Sequence, residues 1–154
     1  MFTTILVPLD GSKRGEKILP YVEDLASARQ SRVILLEVIE PMTYTGGAEM
    51  TPFDSQELVD SECTKAKAYL DSLAEELRTK GLVVTTEVKL GVVVRLILEV
   101  AENEKADLIA MASHGRTGLS RVFYGSVAAG ILNQADRPVL LIRAVDVPQA
   151  TTEA

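Results

Sequence analysis

Runs of apolar residues of strand length alternate along this chain with stretches whose apolar positions recur every three to four residues. Thr4-Ile5-Leu6-Val7-Pro8-Leu9 is a β-branched run closed by the polar turn Asp10-Gly11-Ser12. Over residues 14–29, Ile18, Tyr21, Val22, Leu25 and Ala26 fall at helical spacing. Pro20 lies inside that segment and predicts an irregular or kinked first turn. A second, nearly all-apolar strand follows over residues 33–38, broken by Glu37. Residues 41–53 hold two prolines and two glycines and read as a loop.

The spacing predicts a long helix over 54–80, in which Val59, Cys63, Ala66, Leu70, Leu73 and Leu77 share one face. Cys63 on that stripe reads as a packed core thiol. Gly81 after Arg78 and Lys80 marks the helix end. A third strand over 83–90 carries Glu87 and Lys89, which suits an edge position. A helix over 94–104, a fourth strand over 108–112, a glycine-rich loop over 113–125, a short helix over 126–135 and a fifth strand over 138–142 complete the series. Residues 147–154 are polar and read as a frayed tail. Strict β-α alternation with strands apolar on both faces means an open, doubly wound parallel sheet between helices. Ligands in that architecture sit outside the carboxyl ends of the strands, where strand order reverses.

Composition adds limits. At 154 residues the chain is the size of one domain, taken here as residues 1–146, and its 47% hydrophobic and 25% charged residues suit a soluble globular protein. Sixteen Lys and Arg against 22 Asp and Glu give a net charge of −6, which argues against a nucleic-acid partner. One cysteine, Cys63, excludes an internal disulfide, and one histidine, His114, excludes a multi-histidine metal centre. The start lacks the basic residues of a targeting segment, and Glu37 and Arg143 keep the apolar runs short of a membrane span. A cytoplasmic protein with no membrane partner is expected.

From Leu108 through Ala135 no Asp or Glu occurs, although the chain has 22 acids in 154 residues. The same stretch holds His114, Arg116, Arg121 and the glycines at 115, 118 and 125. An anion site needs such freedom from carboxylates. A short basic surface loop followed by a buried helix would show the same composition. Ser126 stands where an N-cap belongs, at a helix start whose free N–H groups suit phosphate. No GxxxxGK[ST] loop and no GxGxxG turn is present, so neither a standard P-loop nor dinucleotide-dependent dehydrogenase chemistry is supported.

Ser113-His114-Gly115-Arg116-Thr117-Gly118-Leu119-Ser120-Arg121, followed by Gly125-Ser126-Val127-Ala128, resembles the signature loop of universal stress proteins. The opening Ile5-Leu6-Val7-Pro8-Leu9-Asp10-Gly11-Ser12, the Ala106-Asp107-Leu108-Ile109 segment and the closing Arg137-Pro138-Val139-Leu140-Leu141-Ile142 match as well, so the resemblance covers nearly the whole chain. It implies a Rossmann-like sheet of the adenine nucleotide alpha hydrolase type, with strand order 3-2-1-4-5. The family's ATP-binding branch carries Gly-x2-Gly-x9-Gly-Ser/Thr; here the pattern is Ala112-x2-Gly115-x9-Gly125-Ser126, with alanine for the first glycine. Residue by residue, the resemblance implies that Asp10 meets the ribose or metal region and that Val38 faces adenine. Gly115, Arg116, Gly125 and Ser126 would then cradle the phosphates, with Pro8, Leu9, Met111, Ala112, His114, Gly118 and Val127 around them.

The expectation is an adenine-nucleotide-binding stress or signalling protein, with ATP first, AMP or another adenine nucleotide next, and Mg²⁺ possible beside Asp10. Two other classes compete: a dimeric adaptor with a vestigial pocket, and an enzyme. No carboxylate stands in the signature loop to serve as a base, so at most slow ATP hydrolysis is expected. The apolar fifth strand, flanked by Arg137 and Arg143, predicts a sheet edge, and the resemblance implies a homodimer through strand 138–143.

Overall fold

A computed structural model describes residues 2–41, 52–114 and 125–144. Strand β1 (Thr4–Leu9) leads through a short 3-10 turn (Gly15–Ile18) into helix α1 (Leu19–Arg29). There follow β2 (Arg32–Ile39), α2 (Pro52–Thr79), β3 (Val83–Leu90), α3 (Val93–Asn103), β4 (Leu108–His114), α4 (Ser126–Gln134) and β5 (Val139–Ala144). All strand pairings are parallel, in the order β3-β2-β1-β4-β5. The order reverses between β1 and β4, as expected.

Period-two alternation sends the strand side chains into two cores. Ile5, Val7, Leu9, Val33 and Leu35 pack with Val22 and Ala26 of α1 and Leu70, Ala74 and Leu77 of α2. Leu6, Ile34, Leu36, Ile109 and Met111 pack on the other face with Ile97 and Val100 of α3 and Ala128 and Ile131 of α4. Each large side chain withdrawn fully from water contributes about 1.5–3 kcal/mol toward the sheet's stability. Pro20 falls in the first turn of α1, where its missing N–H costs nothing, and the 3-10 turn ahead of it is the predicted irregularity.

Polar clasps fix the bottom of the sheet. The Asp107 carboxylate accepts from Thr3 N at 3.0 and 2.8 Å, Thr3 Oγ1 at 2.8 Å and Thr4 N at 3.1 Å, which joins the start of β1 to the start of β4. Arg137 donates from Nη1 to the carbonyls of Ala101 at 2.8 Å and Ala106 at 2.9 Å, holding the end of α3 against the approach to β5.

Three expectations change. The fourth strand runs two residues further than its apolar pattern suggested, because β5 continues alongside it: Ser113 pairs with Arg143 and His114 with Ala144. Ser113 and His114 therefore belong to the strand and not to the loop. Cys63 is only half-buried, since the first buried described residue of α2 is Ala66 and the apolar stripe begins before the packing does. Ser126 is the first helical residue of α4, and Gly125 holds the N-cap position with φ −55° and ψ 158°. The predicted tail at 147–154 lies outside the described residues.

Candidate functional site

The carboxyl ends of β1, β2 and β4 and the start of α4 enclose a cavity of about 210 Å³. Beneath it the walls are apolar: Leu36 and Val38 from β2, Val93 and Ile97 from α3, Met111 from β4. Its polar end is made by Asp10 and Gly15 from the β1–α1 turn, Ser113 from β4, and Gly125 and Ser126 at the head of α4.

Each part has a local cause. Asp10 follows the last residue of β1, and its Oδ1 accepts from Ser12 N at 3.0 Å and from Ser12 Oγ, an Asx-type turn that fixes the carboxylate. Gly15 closes the turn by donating its N–H to Ser12 Oγ at 3.1 Å. A Cβ on Gly15 would stand 2.9 Å from Asp10 Oδ1, so glycine permits the close approach there. At the other wall the N-cap residue Gly125 has no side chain with which to cap α4. The opening N–H groups of residues 126–128 have no intrahelical acceptor, and all three residues line the cavity. Gly130, one turn on, has only 2.7 Å between the place of a Cβ and Val94 Cγ2, and this close packing on α3 sets where α4 begins.

One titratable group lies just behind the wall. Burial, reinforced by the charges of Asp10 and Glu62, pushes the Glu37 carboxyl above the ordinary glutamate range. Its neighbours Leu36 and Val38 face the cavity, and the alternation of β2 turns Glu37 to the opposite side.

Nine of the predicted residues meet at this cavity: Pro8, Leu9, Asp10, Val38, Met111, Ala112, Gly125, Ser126 and Val127. His114 ends β4, on the strand that supplies Met111 and Ala112. Gly115, Arg116 and Gly118 lie outside the described residues. Sequence reading missed Gly15, Leu36, Val93, Ile97, Ser113 and Ala128. Ile97 was visible only as part of a helical segment, which reads equally well as core, and Val93 fell in the turn expected before that segment.

The chain is thus a doubly wound α/β domain with a cavity at its switch point, floored by apolar side chains and headed by the start of a helix. Comparison with known proteins makes this specific. Residues 1–143 match the universal stress protein family, and the chain belongs to it. It is 28% identical to the universal stress protein MJ0577 of Methanocaldococcus jannaschii, over 93% of this chain and 96% of that one. With the universal stress protein MJ0531 of the same organism it shares 32%, over 93% of this chain and 83% of the relative. The solved structure of MJ0577 superposes with a TM-score of 0.82, covering 96% of this chain and 99% of its own. Two more distant structures share the fold. One is a universal stress protein in complex with cAMP, at 20% identity, TM-score 0.66 and 94% and 98% coverage. The other is a universal stress family protein from Arabidopsis thaliana with AMP bound, at 17% identity, TM-score 0.65 and 92% and 91% coverage.

Proposed function

We propose that this chain binds an adenine nucleotide, ATP first, in the cavity between β1 and β4, and acts as a nucleotide-dependent stress-response switch of the cytoplasm. The observation that carries this reading is the opening turn of α4, whose N–H groups at 126–128 have no acceptor within the helix and lie at a cavity whose far wall is apolar. Phosphate suits the first and a purine ring the second. Family members with cAMP and AMP bound support the ligand class.

The residues present fit such a ligand. Val38, Leu36 and Met111 would take the base, and Asp10 the ribose or an accompanying Mg²⁺. Gly125, Ser126 and Val127 would take the phosphates, joined by Gly115 and Arg116, with His114 and Gly118 beside them. Pro8 and Leu9 shape the wall below. When bound, the nucleotide supplies a negatively charged phosphate chain that the α4 N-terminus stabilises. Asp10, already bonded to Ser12, is a poor general base, so hydrolysis is slow and occupancy is the signal. The apolar edge strand β5 is the surface through which two copies pair.

Mass spectrometry of freshly purified protein tests for a co-purifying adenine nucleotide, and calorimetry with ATP, AMP and cAMP ranks them. Gly125→Val should abolish binding, since a branched side chain would fill the space before α4. Its φ of −55° leaves the backbone free to accept valine. Wild-type protein that binds none of the three favours the adaptor reading. A Gly125→Val variant that binds ATP as well as wild type places the nucleotide elsewhere. Light scattering at micromolar concentration should report a dimer; a monomer refutes the pairing.

A further inference from the structure

Strand β2 carries one acid, Glu37, near its carboxyl end, and only 9% of it is exposed. It pairs in register with Leu9 of β1, so it sits directly below the point where the chain turns over the sheet. That turn lies over it: Gly11, with φ +79°, has Glu37 Oε1 3.6 Å from the place of a Cβ, an ordinary contact distance. Asp10, the next residue back, lines the cavity. One turn of chain therefore separates the Glu37 carboxyl from the proposed ligand.

The surroundings are negative. Asp10 faces Glu37 from the β1 end and Glu62 faces it from α2. Tyr69 of α2 lies in the same field, with Glu16 of the 3-10 turn beside it. Glu37 Oε2 is buried without a hydrogen-bond partner among the described residues. A buried carboxyl with an unpartnered oxygen costs more as a carboxylate than as the neutral acid.

We propose that Glu37 is a positioning residue that stays neutral beneath the Asp10–Gly11 turn while the cavity holds an anion, so that nucleotide binding takes up a proton. This rests on the nucleotide reading above. Ionised Glu37 would set a buried negative charge against Asp10 and, beyond it, against the phosphates. The turn that carries Asp10 would be pushed off the sheet, and an anionic ligand repelled. Linkage then works in both directions: acid favours binding, and binding draws a proton from solvent onto the Glu37 carboxylate.

The test compares wild type with the isosteric Glu37→Gln variant by calorimetry, with ATP and with uncharged adenosine, from acid to alkaline pH. Relative to the variant, wild-type affinity for ATP should fall with rising pH by up to about tenfold per pH unit. Buffers of different ionisation heat should show proton uptake in wild type beyond that of the variant. ATP's own titration is common to both proteins and cancels, and adenosine should show far less difference. A second measurement reads the carboxyl directly: the infrared difference spectrum between ATP-bound and free protein should gain the C=O band of a protonated carboxyl in wild type that Glu37→Gln lacks. Parallel pH profiles with ATP bound in both proteins would overturn the proposal and leave the nucleotide reading standing, as would a missing band. Should wild type bind no ATP at any pH, the nucleotide reading fails and the coupling falls with it.

Discussion

Replacing Gly15 with alanine tests the site at its most tightly drawn point. The added Cβ would stand 2.9 Å from Asp10 Oδ1 and 3.4 Å from Ser12 Oγ, closer than ordinary contact for the first. The backbone at Gly15 lies in a helical turn, so alanine is not strained there, and the clash has to be relieved by moving the carboxylate. Asp10 Oδ1 is held by Ser12 N at 3.0 Å and by Ser12 Oγ. Swinging it away gives up one or both bonds, about 1–2 kcal/mol for charge-assisted bonds near the surface. Alanine recovers about 0.4–1 kcal/mol by restricting the unfolded chain. The net change in stability is therefore within about 1 kcal/mol, a small shift in urea midpoint. Binding has no such compensation: with Asp10 turned from the cavity, ATP affinity should drop about tenfold, the 1.4 kcal/mol of one good polar contact. Calorimetry and urea denaturation on Gly15→Ala and Asp10→Ala decide it. Unchanged ATP affinity in Gly15→Ala, alongside a marked loss in Asp10→Ala, would show that the carboxylate's position above Gly15 does not matter and refute the reasoning.

Gly130→Ala forces a methyl against Val94 Cγ2 at 2.7 Å, and overpacking of about 1–3 kcal/mol should outweigh the helix gain of up to about 1 kcal/mol. Denaturant unfolding should find the variant less stable, and adding Val94→Ala should recover part of the loss. Asp107→Ala removes the clasp on Thr3 and Thr4 and should cost about 1–2 kcal/mol at neutral pH, reduced from the full value by exposure. Despite the cost of its burial, hydrogen bonds from Thr3 and Thr4 hold the Asp107 carboxyl below its usual value. Its stabilisation is thus present above the unfolded aspartate range and lost as pH falls through the lower folded value, so the gap between wild type and variant should narrow in strong acid.

The strands were legible because a buried parallel strand is apolar on both faces and ends at a polar turn. Residues 4–9 were bounded this way by Asp10-Gly11-Ser12, and β1 has those same ends. Glu87 and Lys89 marked β3 as an edge, which it is. Where pairing partners alone decide a strand's length, the pattern fell short: Ser113 and His114 are polar, yet β5 alongside draws them into the ladder. Helix periodicity overreached in the opposite way at Cys63, since it reports which face is apolar and not how far along the helix a neighbour lies. The polar end of the cavity was signalled by missing carboxylates and by the glycine and serine ahead of the last helix. Of its apolar walls only Val38 and Met111 were expected, because Leu36, Val93 and Ile97 obey the same rule as any core residue. Glu37 stood out only as an interruption of an apolar run, and nothing in the local sequence says that the turn after β1 covers it.

Alternation at the strand ends also bears on the one departure from the ATP-binding pattern, Ala112. Met111 points into the core beneath α3 and α4, and Ala112, one residue on, packs its methyl against the opposite core beneath α1 and α2. Ala112 lies at the cavity's border, paired in register with Ile142, and the alanine does not stand in the middle of the space that Leu36, Val38 and Met111 enclose. A methyl seated on an apolar cluster takes little from a ligand and gives something to the fold. Ala112→Gly should therefore leave ATP affinity equal or improve it slightly. Stability should fall by about 0.5–1 kcal/mol, the cost of glycine in a strand interior. Paired calorimetry and urea denaturation measure both sides. A large gain in affinity, tenfold or more, would mean that the methyl blocks the ligand and that the wild-type cavity is a weakened site.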